Sequence, residues 1–347
     1  MEIGKSKKLY DALMYLIPGI FALASVLIVN PPMIYDDLYR FYDFYNGVKE
    51  MPIHKFWNVL KNLPDYILPI YIYIVSRLGI PVNFLLGTVT YFTVFIILRI
   101  SDKILNKTGK NTIWAQIFII TAISLSGLLS GVRNLHSIAL LYSAIYLLVH
   151  QKYLKSVFIF LVSVLVHFST IFYLPVLGLL KLRLRVIHIL WWISFIGFLL
   201  PIIYLPFQSE NFTNYSSIPI IGKLQHYTFQ KDYYFKLSLN NIKIILVSFY
   251  KLSWYLFTLI FLYYQLKNKK ENVWLKILFI FSAVMNFTFI YLTFFERVSF
   301  FVKILFVICL LQENIINFKI KKGIFIYFLV LFFFQILLYI EGLYDLI

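Results

Sequence analysis

The chain has 347 residues, is 61% hydrophobic and only 14% charged, and carries Lys+Arg 32 against Asp+Glu 15. A soluble domain holds about 25% charged residues, so this composition excludes a water-soluble enzyme. The basic residues cluster in short loops between apolar runs, so the excess positive charge reads as membrane topology and attraction to anionic headgroups, not as nucleic-acid binding. The lone cysteine, Cys309, excludes a disulfide framework and a thiolate metal site. No HExxH, CxxC or P-loop Gly-Lys-Ser/Thr occurs, which argues against a zinc protease or an ATP-driven pump.

Repeated runs of about 20 apolar residues match a bilayer core of about 30 Å. Lys5, Lys7 and Lys8 place the start of a first, uncleaved helix (9–30) in the cytoplasm, so residues 31–65 lie outside. Within them Asp36, Asp37, Tyr39, Arg40, Tyr42, Asp43 and Tyr45 crowd together. A helix there would put Asp36, Arg40 and Asp43 on one face, with Gly47 as its stop. A second piece, 53–63, carries Trp57 among lysines and suits the membrane interface. The run 66–79 lies between Pro64 and Pro81 and is short for a span, so it reads as re-entrant or interfacial. Residues 82–98 then cross to a basic loop of Arg99, Lys103, Lys107 and Lys110.

A helix over 112–130 leads outward to the polar segment Gly131–Ser137, and 134–149 returns to Lys152 and Lys155. The run 156–180 has basic residues at both ends, which one span cannot satisfy. Two short helices meeting near His167-Phe168-Ser169-Thr170 can. Further spans follow at 187–205, 242–266, 275–293, 299–316 and 323–340, with a large outer loop at 206–240 and Glu296-Arg297 in a tight outer turn. The expectation is one all-α polytopic membrane domain over 1–347. It has eleven transmembrane helices, within a range of 10–12, with the N-terminus inside.

This topology gathers Asp36, Asp37, Arg40, Arg133, His136, His167, His226 and Arg297 at the outer side. An arginine in a membrane helix costs about 2.5–3.5 kcal/mol at mid-bilayer and needs a reason. Plainer readings exist: Arg133 as a snorkelling helix-end residue, Arg297 paired with Glu296, His167 as a hydrogen-bonded packing residue. The chemical reading starts from the arginine fork, which binds phosphate oxygens bidentately. At a membrane surface such a phosphate is lipid-linked, and a lipid pyrophosphate is also a leaving group. A placed guanidinium stabilises its departure, and a nearby His or Asp can take the proton of an acceptor hydroxyl.

Four patches carry a family resemblance. They are Asp36-Asp37-Leu38-Tyr39-Arg40-Phe41-Tyr42, Gly131-Val132-Arg133, His167-Phe168-Ser169-Thr170 and Glu296-Arg297-Val298-Ser299-Phe300-Phe301. Together, and in this order, they resemble the EpsG-like group of bacterial polysaccharide polymerases. The resemblance implies a Wzy-type O-antigen or capsule polymerase of GT-C-like architecture in the bacterial cytoplasmic membrane. It implies transfer of a growing glycan from undecaprenyl pyrophosphate to the terminal sugar of a lipid-linked repeat unit on the outer face. The expected reaction is inverting, with no cofactor and no metal. The partners it implies are lipid-linked oligosaccharide repeat units, membrane lipid and a chain-length regulator, with no nucleic acid. By this resemblance Arg133 and Arg297 contact pyrophosphate, and His167, Asp36 or Asp37 serves as base or orienter. Arg40, Tyr39 and Glu296 stand near sugar or behind the site. His136 departs from the family pattern and takes no role. The alternatives are an O-antigen ligase, a flippase or transporter of lipid-linked oligosaccharide, and a membrane O-acyltransferase.

Overall fold

A computed structural model describes residues 2–27, 37–106, 113–123, 128, 132–198, 242–266, 272–288, 292–313 and 316–340. All regular structure among them is helical. In chain order the helices are α1 (Glu2–Leu27), α2 (Asp37–Val48), α3 (Ile53–Lys61), α4 (Ile67–Arg77), α5 (Val82–Asn106), α6 (Ile113–Thr121), α7 (Val132–Val149) and α8 (Tyr153–Val166). A 3-10 segment, Phe168–Tyr173, leads into α9 (Leu174–Gly178). Then come α10 (Leu184–Ser194), α11 (Ile242–Gln265), α12 (Val273–Phe287), α13 (Leu292–Gln312) and α14 (Phe318–Ile340). The chain divides into two compact units, one of residues 1–177 with 317–332 and one of 178–316 with 333–347.

The exposed faces of α1 and α8 are rich in large apolar side chains. On α1 the buried stripe is Met14, Pro18, Phe21 and Ser25, while Leu16, Ile20, Leu23 and Leu27 face outward. On α8 the serines Ser156 and Ser163 are buried and Leu154, Val157, Phe158, Leu161 and Leu165 are exposed. Water disfavours so much exposed apolar surface; hydrocarbon favours it, because lipid tails solvate leucine while serine hydroxyls find backbone carbonyls inside. Ser156 Oγ donates to Ala144 O of α7 at 2.7 Å and Ser163 Oγ to Phe160 O at 2.7 Å. Three helices among the described residues are long and apolar enough to cross a membrane: Tyr10–Leu27, Val82–Asn106 and Val132–Val149.

α4 has 11 residues, as the short run 66–79 leads one to expect, and α6 has 9. At 1.5 Å per residue α4 covers about 16 Å, half a bilayer core, in keeping with an interfacial or re-entrant piece. The single helix expected over 112–130 is interrupted, since α6 ends at Thr121 and Ala122 and Ile123 turn away. Glu296 and Arg297 do not form a tight turn: they lie inside α13, which begins at Leu292. The residues before them are helix-compatible apolar and aromatic ones with no Gly or Pro to stop the chain. The break expected in 156–180 is present at His167, whose backbone is extended (φ −151, ψ 111) between α8 and the 3-10 segment. The large outer loop and His226 lie outside the described residues.

In the first unit α1 lies along α5. Ser25 Oγ donates to Thr90 Oγ1 at 2.9 Å, and Gly87 brings the α5 backbone against α1. A Cβ at Gly87 would stand 2.6 Å from Val26 Cγ2 and 3.1 Å from Ala22 O. Small residues at such crossings let membrane helices approach closely. At one end of this pair the buried Asp102 accepts from Tyr10 Oη (2.7 Å) and Asn106 Nδ2 (3.2 Å), while Gln116 Nε2 donates to Tyr10 Oη. Gly87→Leu is expected to lower the thermal midpoint of the detergent-solubilised protein by an overpacking cost of about 1–3 kcal/mol. A static light-scattering melt of wild type, Gly87→Ala and Gly87→Leu should rank them in that order.

Candidate active site

The site forms where the α3–α4 linker meets the break after α8. Pro64 ends the polar stretch after α3, and Tyr66 N donates to Leu165 O at 3.0 Å, which docks the linker on the last turn of α8. The docking turns Asp65 inward, where it is 2% exposed. Because the chain leaves helical geometry at His167, Phe168 N has no helical acceptor of its own, and it donates to Asp65 Oδ1 at 2.8 Å. The carboxylate thus sits at the start of the 3-10 segment, where free N–H groups favour negative charge.

Asp65 Oδ2 has two further partners. Arg133 Nη1 lies 2.8 Å away and His167 Nδ1 3.2 Å away. Arg133 is in the first turn of α7, an unfavourable place for a cation by the helix dipole. It is held there by Asp65 and by the ring of Phe41 of α2, whose centroid is 5.3 Å from the guanidinium carbon. Phe41 is buried, because α2 packs on α4 and the start of α5: Tyr45 Oη donates to Ile80 O, and Tyr42 Oη bonds Asn83 Oδ1. Arg77 of α4 returns a bond to Lys49 O.

Asp65 lies in the linker, outside the spanning helices. Burial pushes its acidity down, but the His167 hydrogen bond and charge, the Arg133 charge and the Phe168 amide outweigh that and bring its pKa to about 2. It is a carboxylate throughout the physiological range, so it can only accept hydrogen bonds, and His167 Nδ1 must donate to it. His167 is itself 5% exposed. His136 faces elsewhere. Thr93 Oγ1 donates to Val89 O, so it accepts from His136 Nδ1 at 2.8 Å. That makes His136 a packing contact between α7 and α5.

Of the residues singled out from sequence, Arg133 and His167 are therefore brought together, by a residue that sequence reading passed over. Arg40 is on the exposed face of α2. Asp37 and Tyr39 belong to α2, and Glu296 to α13, with side chains outside the described part; Asp36 lies outside it altogether. Arg297, half-buried on α13, belongs to the second unit. A signal for Asp65 existed in the composition. Between residues 51 and 209 the chain has two carboxylates, Asp65 and Asp102, and the only Lys or Arg between 113 and 151 is Arg133. A half-buried guanidinium there has few possible counter-ions.

Long apolar helices with apolar side chains on their exposed faces define a membrane-embedded protein, in which a buried carboxylate joins an arginine and a histidine. The family model described as "EpsG family" matches residues 14–346, nearly the whole length. The chain belongs to the EpsG family, which makes it a polysaccharide polymerase-type membrane protein. No curated protein and no solved structure matches it.

Asp65→Ala would leave Arg133 and His167 without their shared counter-ion. Removing one partner of a buried pair costs about 3–5 kcal/mol, and the partial exposure of Arg133 puts the expected loss near the low end. The pH dependence follows from the lowered acidity. The unfolded carboxylate titrates near about 3.9, so the stabilisation is complete above about pH 4 and is lost as pH falls through about 2. Thermal melts should show a gap between wild type and Asp65→Ala at pH 5 that narrows below about pH 4.

Proposed function

We propose that this protein polymerises glycan repeat units carried on a lipid pyrophosphate, undecaprenyl pyrophosphate, at the outer face of the cytoplasmic membrane. The observation that supports this most is the single Asp65 oxygen placed 2.8 Å from the Arg133 guanidinium and 3.2 Å from the His167 ring. It sets an anion-binding group and a proton acceptor side by side, the two functions that glycosyl transfer from a lipid pyrophosphate requires.

In the proposed reaction the acceptor sugar's hydroxyl oxygen attacks the anomeric carbon of the growing chain. The bond from that carbon to the pyrophosphate oxygen breaks, and undecaprenyl pyrophosphate departs with the electron pair. The proton of the hydroxyl passes to His167 Nε2. Arg133 stabilises the charge that builds on the leaving group, an effect stronger in the transition state than in the bound substrate. A proton acceptor in this role contributes about 10²–10⁴-fold. Arg297 is retained from the family pattern as a second pyrophosphate contact, a role that rests on sequence alone. Asp36 and Asp37 remain candidates for acceptor-sugar contacts on the same basis, and Arg40, Tyr39 and Glu296 for sugar-binding or supporting roles. The glycan product, whether O-antigen or capsule, and a chain-length regulator as partner belong to this reading too.

Cells carrying Arg133→Ala or Arg297→Ala are expected to lose long glycan chains and keep glycans of one repeat. Normal chain-length ladders on a gel in both strains would overturn the proposal. Lipid-linked polymer accumulating in a strain that lacks the protein would point to a ligase, and repeat units trapped on the cytoplasmic side would point to a flippase.

A further inference from the structure

We propose that Asp65 is the positioning residue of this centre: its carboxylate fixes His167 in the tautomer with Nδ1 protonated and Nε2 carrying the lone pair, and sets the direction of Arg133 at the same time. The inference rests on the reading of His167 as the proton acceptor and adds a residue that the family resemblance did not supply.

Three independent contacts support it. Phe168 N binds Oδ1 at 2.8 Å, which pins the carboxylate to the backbone immediately after the histidine. Arg133 Nη1 binds Oδ2 at 2.8 Å, which keeps the carboxylate ionised and therefore an acceptor only. His167 Nδ1 at 3.2 Å from the same Oδ2 is then obliged to donate. An imidazole that donates through one nitrogen accepts through the other. When Nε2 takes a proton, the resulting imidazolium lies beside a buried carboxylate, which favours the charged form. The geometry also removes a degree of freedom: Asp65 cannot swing away without breaking the Phe168 and Arg133 bonds together. Its backbone is anchored too, through the neighbouring Tyr66 N to Leu165 O bond.

The described charged groups against His167 are Asp65 from the linker and Arg133 from α7. Of the other titratable residues on the elements packed around it, His136 of α7 is engaged with Thr93, Arg77 of α4 with Lys49 O, and Tyr173 of the 3-10 segment is buried. Asp65 is the described carboxylate hydrogen-bonded to the ring.

The discriminating variant is Asp65→Asn. Its Oδ1 can still accept from Phe168 N, but its amide NH₂ would face the histidine and favour the opposite tautomer. The test uses full-length protein in liposomes with lipid-linked single repeats extracted from cells lacking this chain, and measures rate against pH. Asp65→Asn should lower kcat by about 10²–10⁴-fold, the range for a misdirected proton acceptor. Its acid limb should move to lower pH by about one unit, since the carboxylate that favours the imidazolium is gone. Asp65→Glu should recover part of the rate and restore the limb. A merely structural Asp65 would reduce the amount of folded protein and leave the limb in place, so an unmoved limb in Asp65→Asn overturns the proposal.

A second measurement does not depend on that variant folding. Nitrogen-15 NMR of histidine-labelled wild type, with the His167 signal assigned by its loss in His167→Gln, should show the Nδ1–H form at neutral pH. The Nε2–H form would overturn the inference. If His167→Gln keeps the wild-type rate and acid limb, the proton-acceptor reading itself fails. If His167→Gln is inactive while Asp65→Asn keeps the wild-type limb, only the role of Asp65 fails.

Discussion

One buried carboxylate organises the first unit. Asp65 ties together the α3–α4 linker, the first turn of α7 and the break between α8 and its 3-10 segment, and through Arg133 it reaches Phe41 of α2. A lone ionised aspartate at 2% exposure would be strongly unfavourable. Here each oxygen is occupied and the charge is met by a guanidinium. The reverse dependence is equally strong. Arg133 stands at the positive end of a helix in an apolar stretch, and the structure relieves that position by supplying the Asp65 carboxylate.

The membrane environment explains why so few polar residues are arranged so economically. In α1 and α8 leucine, isoleucine, valine and phenylalanine stand on the exposed faces, and Ser25, Ser156 and Ser163 are turned inward. Inside, each hydroxyl is spent on a specific acceptor: Ser25 on Thr90, Ser156 on Ala144 O, Thr93 on Val89 O. The second unit follows the same rule, with Tyr255 Oη donating to Asn286 Oδ1 and Asn286 Nδ2 to Ser194 Oγ. Without water as an alternative partner an unmet polar group is costly, so polar side chains in these helices come in connected sets. The cluster of Asp65, Arg133 and His167 differs from these neutral sets in carrying charge.

Much of the architecture could be read from local pattern. The helix of acidic and aromatic residues after the first span, the amphipathic piece beginning at Ile53, the short run between Pro64 and Pro81 and the interruption at His167 all appear as α2, α3, α4 and the α8 break. Each depends on periodicity, proline placement or charge at the ends of an apolar run, which are properties of neighbours in sequence. The reading failed where a helix boundary depended on packing. Apolar composition alone suggested one helix through 112–130 and a turn at Glu296-Arg297, whereas the chain turns at Ala122 and continues helically through Arg297.

The sequence by itself determined the class: an all-α chain made for lipid, with an arginine at a helix start and a histidine at a break, two positions whose oddity local rules expose. Only the tertiary structure decided that these belong to one centre and that Asp65 joins them. The aspartate is 68 residues from Arg133 and 102 from His167, and a solitary acid beside a proline looks, in sequence, like any loop residue. Its significance comes from burial. A charge withdrawn from solvent must find its partners among whatever segments the fold brings within about 3 Å, and no local periodicity encodes that meeting.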